Sequence, residues 1–269
     1  MWFRNIALLA SLSLFPFALS LAQIGISTEE LPVQLTRPDA SLKFRSLDVS
    51  TGMPDDFAGA MIQDSRGFIW TATFSGIVRY DGYDMKVYGH DPENEWSIPD
   101  EIVVELLEDS DGYIWVGLIG DGGLARFDPR TERFERFPTD SLDQASVTAG
   151  TAGAIFEDSR GDIWVGTSDG EDDTAGGLNR FDPATNTFQR FMHDPDDPNS
   201  ISVSSVLSIA EDLAGNLWVG TLGGGVNRFN RDTGDFVAYR NDPDDETSLS
   251  HDEVWEIHVD SKGIVRLGV

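Results

Sequence analysis

Four histidines, at 90, 193, 251 and 258, are the side chains of this sequence with an ordinary acid–base role near neutral pH. None stands in a His-x-Glu arrangement that would mark a general base, and His251-Asp252-Glu253 with His258 nearby is the nearest approach. Carboxylates are far more abundant. Glu108-Asp-Ser-Asp-Gly112 and the Asp-Pro-Asp-Asp runs beginning at Asp194 and Asp242 offer oxygens to Ca²⁺, but the ordered ligand spacing and closing Glu of an EF-hand loop are missing. Turn chemistry accounts for them without a metal. Asp232-Thr-Gly234 matches the tripeptide of aspartic proteases, yet it fills a turn that reads Asp-Pro-x-Thr at Asp128 and again at Asp182. Gly223-Gly-Gly225 lacks the Gly-Lys-[Ser/Thr] ending of a phosphate loop and leads into a strand, so it reads as a hairpin. No catalytic residue, metal or cofactor is predicted.

What must position these groups is a repeat. Asp-x-x-Gly-x-[Ile/Leu]-Trp recurs at Asp64–Trp70, Asp109–Trp115, Asp158–Trp164 and Asp212–Trp218, so the tryptophans stand 45, 49 and 54 residues apart. A degenerate fifth copy, Asp260–Arg266, carries arginine in place of the indole. A period in the forties with turn signals at fixed offsets predicts an array of small sheet units. Each copy offers four short runs rich in Val, Ile, Phe, Tyr or Trp; in the fourth they are Val206–Ala210, Asn216–Thr221, Gly225–Phe229 and Asp235–Tyr239. The predicted fold is therefore all-β: a β-propeller of four complete four-stranded blades plus a partial fifth, forming an open arc. The blades are expected at about 57–91, 101–138, 150–193 and 202–241, with the partial one at 251–269.

The tryptophans could serve as stacking platforms for a sugar, but the same position in every blade favours packing between neighbouring sheets. Arg79, Arg126, Arg180 and Arg228 recur in the third strand, which predicts pairing with the repeated Asp groups or covering of the sheet by their stems.

The formal charge of −28 makes nucleic acid and anionic membrane surfaces poor partners, and a neutral or cationic ligand easier to accommodate. Arg4 precedes an apolar run from Ile6 to Leu21 and a small-x-small site at Ser20-Leu21-Ala22, which predicts a signal peptide over 1–22 and a periplasmic protein. Residues 23–41, with Pro32 and Pro38, are expected to form a mobile leader, and 42–269 the partial propeller. Cysteine is absent, so stability must come from sheet packing.

In an up-and-down meander the first and third turns of a blade share one end of the sheet, and the second and fourth the other. The tight repeated turns occupy the first end. The long fourth connections and the insertion at 168–175 occupy the second, where loops that differ between units make a binding face. The candidate ligand-binding residues there are Phe74, Trp96, Asp121, Glu171, Asp172, Asp173, His193 and His251.

The stretches Glu211-Asp-Leu-Ala-Gly-Asn-Leu-Trp-Val-Gly-Thr-Leu-Gly-Gly-Gly-Val-Asn-Arg-Phe229 and His193-Asp-Pro-Asp-Asp-Pro-Asn-Ser-Ile201 resemble the two-component regulator propeller repeats, which form periplasmic sensor regions of hybrid histidine kinases and diguanylate cyclases. The resemblance runs from Lys43 onward. It implies a seven-bladed ring, an opening strand at Phe44–Val49, and an amino-terminal fragment of a sensor whose membrane span and output domain lie downstream. It also implies a small-molecule or oligosaccharide ligand and a possible dimer in the full receptor. Two alternatives differ in class: a metal-dependent enzyme similar to the streptogramin lyases, and a protein-interaction scaffold.

Overall fold

The structure is a computed structural model that describes residues 46–120, 123–140, 142–170 and 175–269. The expected signal peptide and leader, and the start of the expected opening strand at Phe44, lie outside those residues. Ser46–Asp48 are irregular, and Val49–Thr51 form a short 3-10 turn instead of a strand, because the Asp48 backbone accepts from Thr51 N–H at 2.9 Å and curls the chain. Asp48–Val269 make up one compact unit, described below; of Met1–Leu47, a separate unit, Ser46 and Leu47 alone are described.

Local sequence alternation builds four antiparallel sheets. The first comprises β1 (Met61–Gln63), β2 (Ile69–Thr73), β3 (Gly76–Tyr80) and β4 (Met85–Tyr88). The second comprises β5 (Val103–Glu108), β6 (Ile114–Leu118), β7 (Leu124–Asp128) and β8 (Arg133–Phe137). β9 (Thr151–Glu157), β10 (Ile163–Ser168), β11 (Gly177–Asp182) and β12 (Thr187–Phe191) form the third. β13 (Val206–Glu211), β14 (Leu217–Thr221), β15 (Val226–Phe229) and β16 (Phe236–Tyr239) form the fourth, and a two-stranded piece follows as β17 (Glu256–Val259) and β18 (Val265–Gly268). Within every sheet the spatial order is the chain order, and the first strands touch one another in sequence from β1 to β17. This is an open arc of propeller blades.

The turn between the first two strands explains the repeated motif. In each blade one oxygen of the Asp, Oδ1, accepts the backbone N–H groups two and four residues on: Arg66 and Phe68 from Asp64 onward, then Asp111 and Tyr113, Arg160 and Asp162, Ala214 and Asn216, all at 2.8–3.1 Å. The Gly of the motif takes a positive φ, 80° at Gly112 and 81° at Gly161, that a side chain would strain. Oδ2 accepts the indole N–H of the motif Trp at 3.0 Å in blade one and 2.7–2.8 Å in the next three. A buried indole with a charged acceptor is fixed in one rotamer.

So oriented, the first three tryptophans pack edge-on against the third-strand Phe of the following blade: Trp70 on Phe127, Trp115 on Phe181 and Trp164 on Phe229, with ring centres 5.0–5.4 Å apart. Trp70, Trp115 and Trp164 are fully buried. The core is thus a series of layers between blades, such as Trp70 and Ile77 with Leu106, Val116 and Phe127. Removing one such Trp costs about 3–5 kcal/mol, combining lost transfer energy with the cavity left behind.

The long connections cover what would be open edges. Trp96 O, Ala145 O and Asn199 O accept from Phe134, Phe188 and Phe236 N–H at 2.8–2.9 Å, so each connection adds to the outer strand of the next blade. Among the described residues no helix is long and apolar enough to cross a membrane.

Candidate functional site

At the end of the sheets that carries the long connections, the candidate residues are dispersed. Phe74 lies in the hairpin between β2 and β3, 41% exposed and stacked on Phe57 at 3.8 Å. Trp96 is not at this end: its carbonyl accepts from Phe134 N–H on the outer edge of β8, beside the tight β7–β8 turn, with the Arg133 guanidinium 4.7 Å above its ring, because the long connection runs back along the strand. His193 Nδ1 is hydrogen-bonded to Ile201 O at 2.9 Å, closing its connection into a loop, and His90 does the same to Ile98 O at 2.8 Å. His251 Nδ1 accepts from Glu253 N–H at 3.1 Å. The structure therefore gives these three rings loop-holding contacts, and it puts Phe74 and Trp96 at opposite ends of the sheets. Asp121, Glu171, Asp172 and Asp173 lie outside the described residues. Beside them Asp169 accepts from Ala175 N–H at 3.2 Å and approaches Ser205 Oγ at 3.4 Å, so the base of the insertion is tied to the next blade.

The opposite end, where the tight turns gather, carries chemistry that sequence reasoning missed. The acid that ends a first strand reaches back to the preceding blade: Glu108, Glu157 and Glu211 each accept both the N–H and the hydroxyl of Ser65, Ser110 and Ser159, at 2.5–3.0 Å. The signal was in the sequence as Glu-Asp-Ser at 108–110 and 157–159, but its partners lie 43–52 residues apart. The clamp ends at blade four, where Leu213 stands in the serine's place and Val259 in the glutamate's.

Three of the strand-three arginines are turned to the rings and not to the motif Asp. They lie over the rings instead: Arg79 over Phe68 and Trp70, Arg126 over Tyr113 and Trp115, Arg180 over Trp164, at 4.7–5.9 Å. Arg126 also pairs with Glu135 at 2.6 Å, and Arg180 donates to Gln189 at 2.8 Å. Arg126 Nε is buried and unpartnered.

Asp64, Asp158 and Asp212 have shifted acidities. Burial acts to raise Asp64, Asp158 and Asp212, but hydrogen bonds outweigh it and hold all three below the ordinary carboxylate value: for Asp64 from Trp70 and Arg66, for Asp158 from Trp164 and Arg231, for Asp212 from Asn216 and Trp218. Glu105, partly buried on β5, has no such partner set; desolvation raises it to about 7, opposed weakly by the Leu106 N–H. Among the described residues no group of three or more His, Asp or Glu could hold a metal ion.

A cavity of about 90 Å³ lies between the second and third blades at this end, lined by Asp109, Trp115, Arg126, Glu157, Gly161 and Asp162 among others. It shares Asp162, Phe181 and Pro183 with a groove of about 390 Å³ that continues past Arg180, Asp182 and Gln189. That larger volume is within the range of small-molecule sites.

Comparison with known proteins places the repeat. Residues 97–120 and 146–169 match the two-component regulator propeller model. No curated protein sequence matches significantly. Among solved structures, the extracellular domain of a putative hybrid two-component system from B. thetaiotaomicron aligns with a TM-score of 0.51 and 19% identity, covering 83% of this chain and 40% of that one. PorZ, a surface component of the type-IX secretion system of Porphyromonas gingivalis, aligns at 0.57 and 15%, covering 79% and 31%. Virginiamycin B lyase from Staphylococcus aureus aligns at 0.54 and 14%, covering 81% and 71%. At these identities the likeness shows a shared propeller fold. The chain spans two fifths or less of the first two structures.

Proposed function

We propose that this chain is a ligand-sensing propeller module of a periplasmic receptor for two-component or cyclic-nucleotide signalling, with no enzymatic activity of its own. The observation that carries the reading is the match of two consecutive blades, at 97–120 and 146–169, to the two-component regulator propeller repeat. The arrangement of the loops supports it: regular turns at one end hold the blades in register, which frees the connections at the other end to vary. The ligand is a neutral or cationic small molecule or oligosaccharide, since an anion would approach a chain of charge −28 against its field. Phe74 and the segment 171–173 are the residues offered to it.

The test is calorimetric titration of the chain with a panel of neutral and cationic oligosaccharides and metabolites. Saturable binding to one class, weakened about ten-fold by Phe74→Ala, supports the reading. Silence across the panel, with capture of a periplasmic protein instead, would replace it with an interaction scaffold.

A further inference from the structure

The third and fourth blades meet around a guanidinium. Arg231, from the turn after β15, donates through Nη1 to Asp158 Oδ2 at 2.5 Å, through Nη2 to Glu211 Oε1 at 2.9 Å, and through Nε to Gly215 O at 3.1 Å. Its side chain is 10% exposed, and its Cζ lies 5.9 Å from the Trp164 ring. Each of its three nitrogens thus has an acceptor, two carboxylates and one carbonyl in all, and an indole lies beside it.

The second and third blades present the same acceptors with nothing in the arginine's place. Asp109 corresponds to Asp158, Glu157 to Glu211, Gly161 to Gly215 and Trp115 to Trp164, while Pro183 stands where the other cleft has Arg231. These residues line the cavity of about 90 Å³. Other blades occupy the motif oxygen differently: Arg66 donates to Asp64 Oδ2 at 2.9 Å, and Asn216 to Asp212 Oδ2 at 2.9 Å. Among the described residues, Asp109 Oδ2 accepts the Trp115 indole at 2.7 Å and takes no arginine or amide. Asp162 adds a carboxylate where blade four has the neutral Asn216. The charge of Arg126 on the cleft wall is met by Glu135.

We propose that the cleft between the second and third blades binds a guanidinium group supplied from outside the chain, on Asp109, Glu157, Gly161 O and Asp162, beside Trp115. What points to a ligand is not the acidity but the neighbouring cleft, which holds this group on the corresponding atoms. A cavity of about 90 Å³ has room for about three waters' share of liquid volume, the size of the head group alone. The rest of the ligand lies in the adjoining groove past Pro183 toward Arg180 and Gln189. This site is at the opposite end of the sheets from the sensing face proposed above and does not depend on it.

The experiment titrates the full chain with methylguanidinium by calorimetry, against methylammonium and sodium at the same ionic strength. Saturable binding with Kd of about 1 mM or tighter is expected, weaker for methylammonium because a compact ammonium cannot match the fork. Pro183→Arg supplies the missing guanidinium in cis and should weaken binding about ten-fold or more with an unchanged circular-dichroism spectrum. Asp162→Asn, which copies blade four, should weaken it several-fold and serves if Pro183→Arg does not fold. No saturation by methylguanidinium, equal competition by sodium, or affinity unchanged in Asp162→Asn would overturn the assignment. Tighter binding of an arginine-containing pentapeptide than of methylguanidinium would make the source a polypeptide, and the reverse a free metabolite.

Discussion

Arg266 donates through Nη2 to Asp260 Oδ2 at 3.0 Å, filling in the fifth repeat the place that an indole N–H fills in four others. The substitution that makes the last copy look degenerate keeps the donor. The turn survives with it: Asp260 Oδ1 still accepts Lys262 and Ile264 N–H at 2.9 and 3.0 Å, and β17 pairs with β18. What the arginine does not reproduce is the flat apolar face, which in the other blades packs against a following sheet.

Asp158 is a motif carboxylate that takes its arginine from the next blade. Its side chain is fully buried and holds Trp164, Arg231 and two turn amides. Asp158→Ala takes one of two carboxylates from the Arg231 guanidinium and the acceptor from the Trp164 indole, and should cost about 3 kcal/mol, read as a fall in the urea midpoint. Asp260→Ala, at an exposed turn, should move the midpoint far less.

The serine–glutamate clamp should appear as coupling between blades. A double-mutant cycle on Ser110→Ala and Glu157→Ala is expected to return about 1 kcal/mol of interaction energy. Installing the clamp where it is missing, with Leu213→Ser and Val259→Glu together, should stabilise the fifth repeat more than the two single changes added. Strict additivity would show that the clamp carries no energy.

Acid should unfold the protein through the motif carboxylates. Because Asp64, Asp158 and Asp212 sit below their unfolded value of 3.8, their contribution is present above that pH and lost as pH falls through the lowered folded values. Melting temperature recorded from pH 2 to 7 should drop steeply below about pH 4, and Asp158→Asn should flatten part of that slope.

Glu105 acts with the opposite sign. Its folded value of about 7 lies above 4.5, so its burial costs nothing below pH 4.5, grows costly between the two values and reaches its full penalty above 7. Glu105→Gln should therefore stabilise the chain by up to about 3 kcal/mol at pH 8 and leave it unchanged at pH 4. Equal effects at both pH values would show that the carboxyl is hydrated.

The blade architecture was legible because its determinants are local. The alternation in Val206–Glu211 or Leu217–Thr221 and the Asp-to-Gly turns act over a few residues, and the observed strands of the fourth sheet fall within one or two residues of those read from the pattern. Register separates the two roles read for the strand-three arginines, pairing with the motif Asp or covering the sheet. It puts Arg79 opposite Trp70 and Arg126 opposite Trp115, so each guanidinium lies over its ring. The histidines of the long connections look available for ligation in a sequence; their Nδ1 atoms are used to close the loops they belong to.

By itself the sequence determined the unit: four strands, their turns, and an end of the sheet where loops vary, since each depends on residues near one another along the chain. The tertiary structure decided how units meet. Ser110 finds Glu157 across 47 residues, Arg231 finds Asp158 across 73, and Pro183 leaves the corresponding cleft open. Those pairings depend on which blade lies against which and on the direction a side chain leaves its turn. A linear repeat records neither.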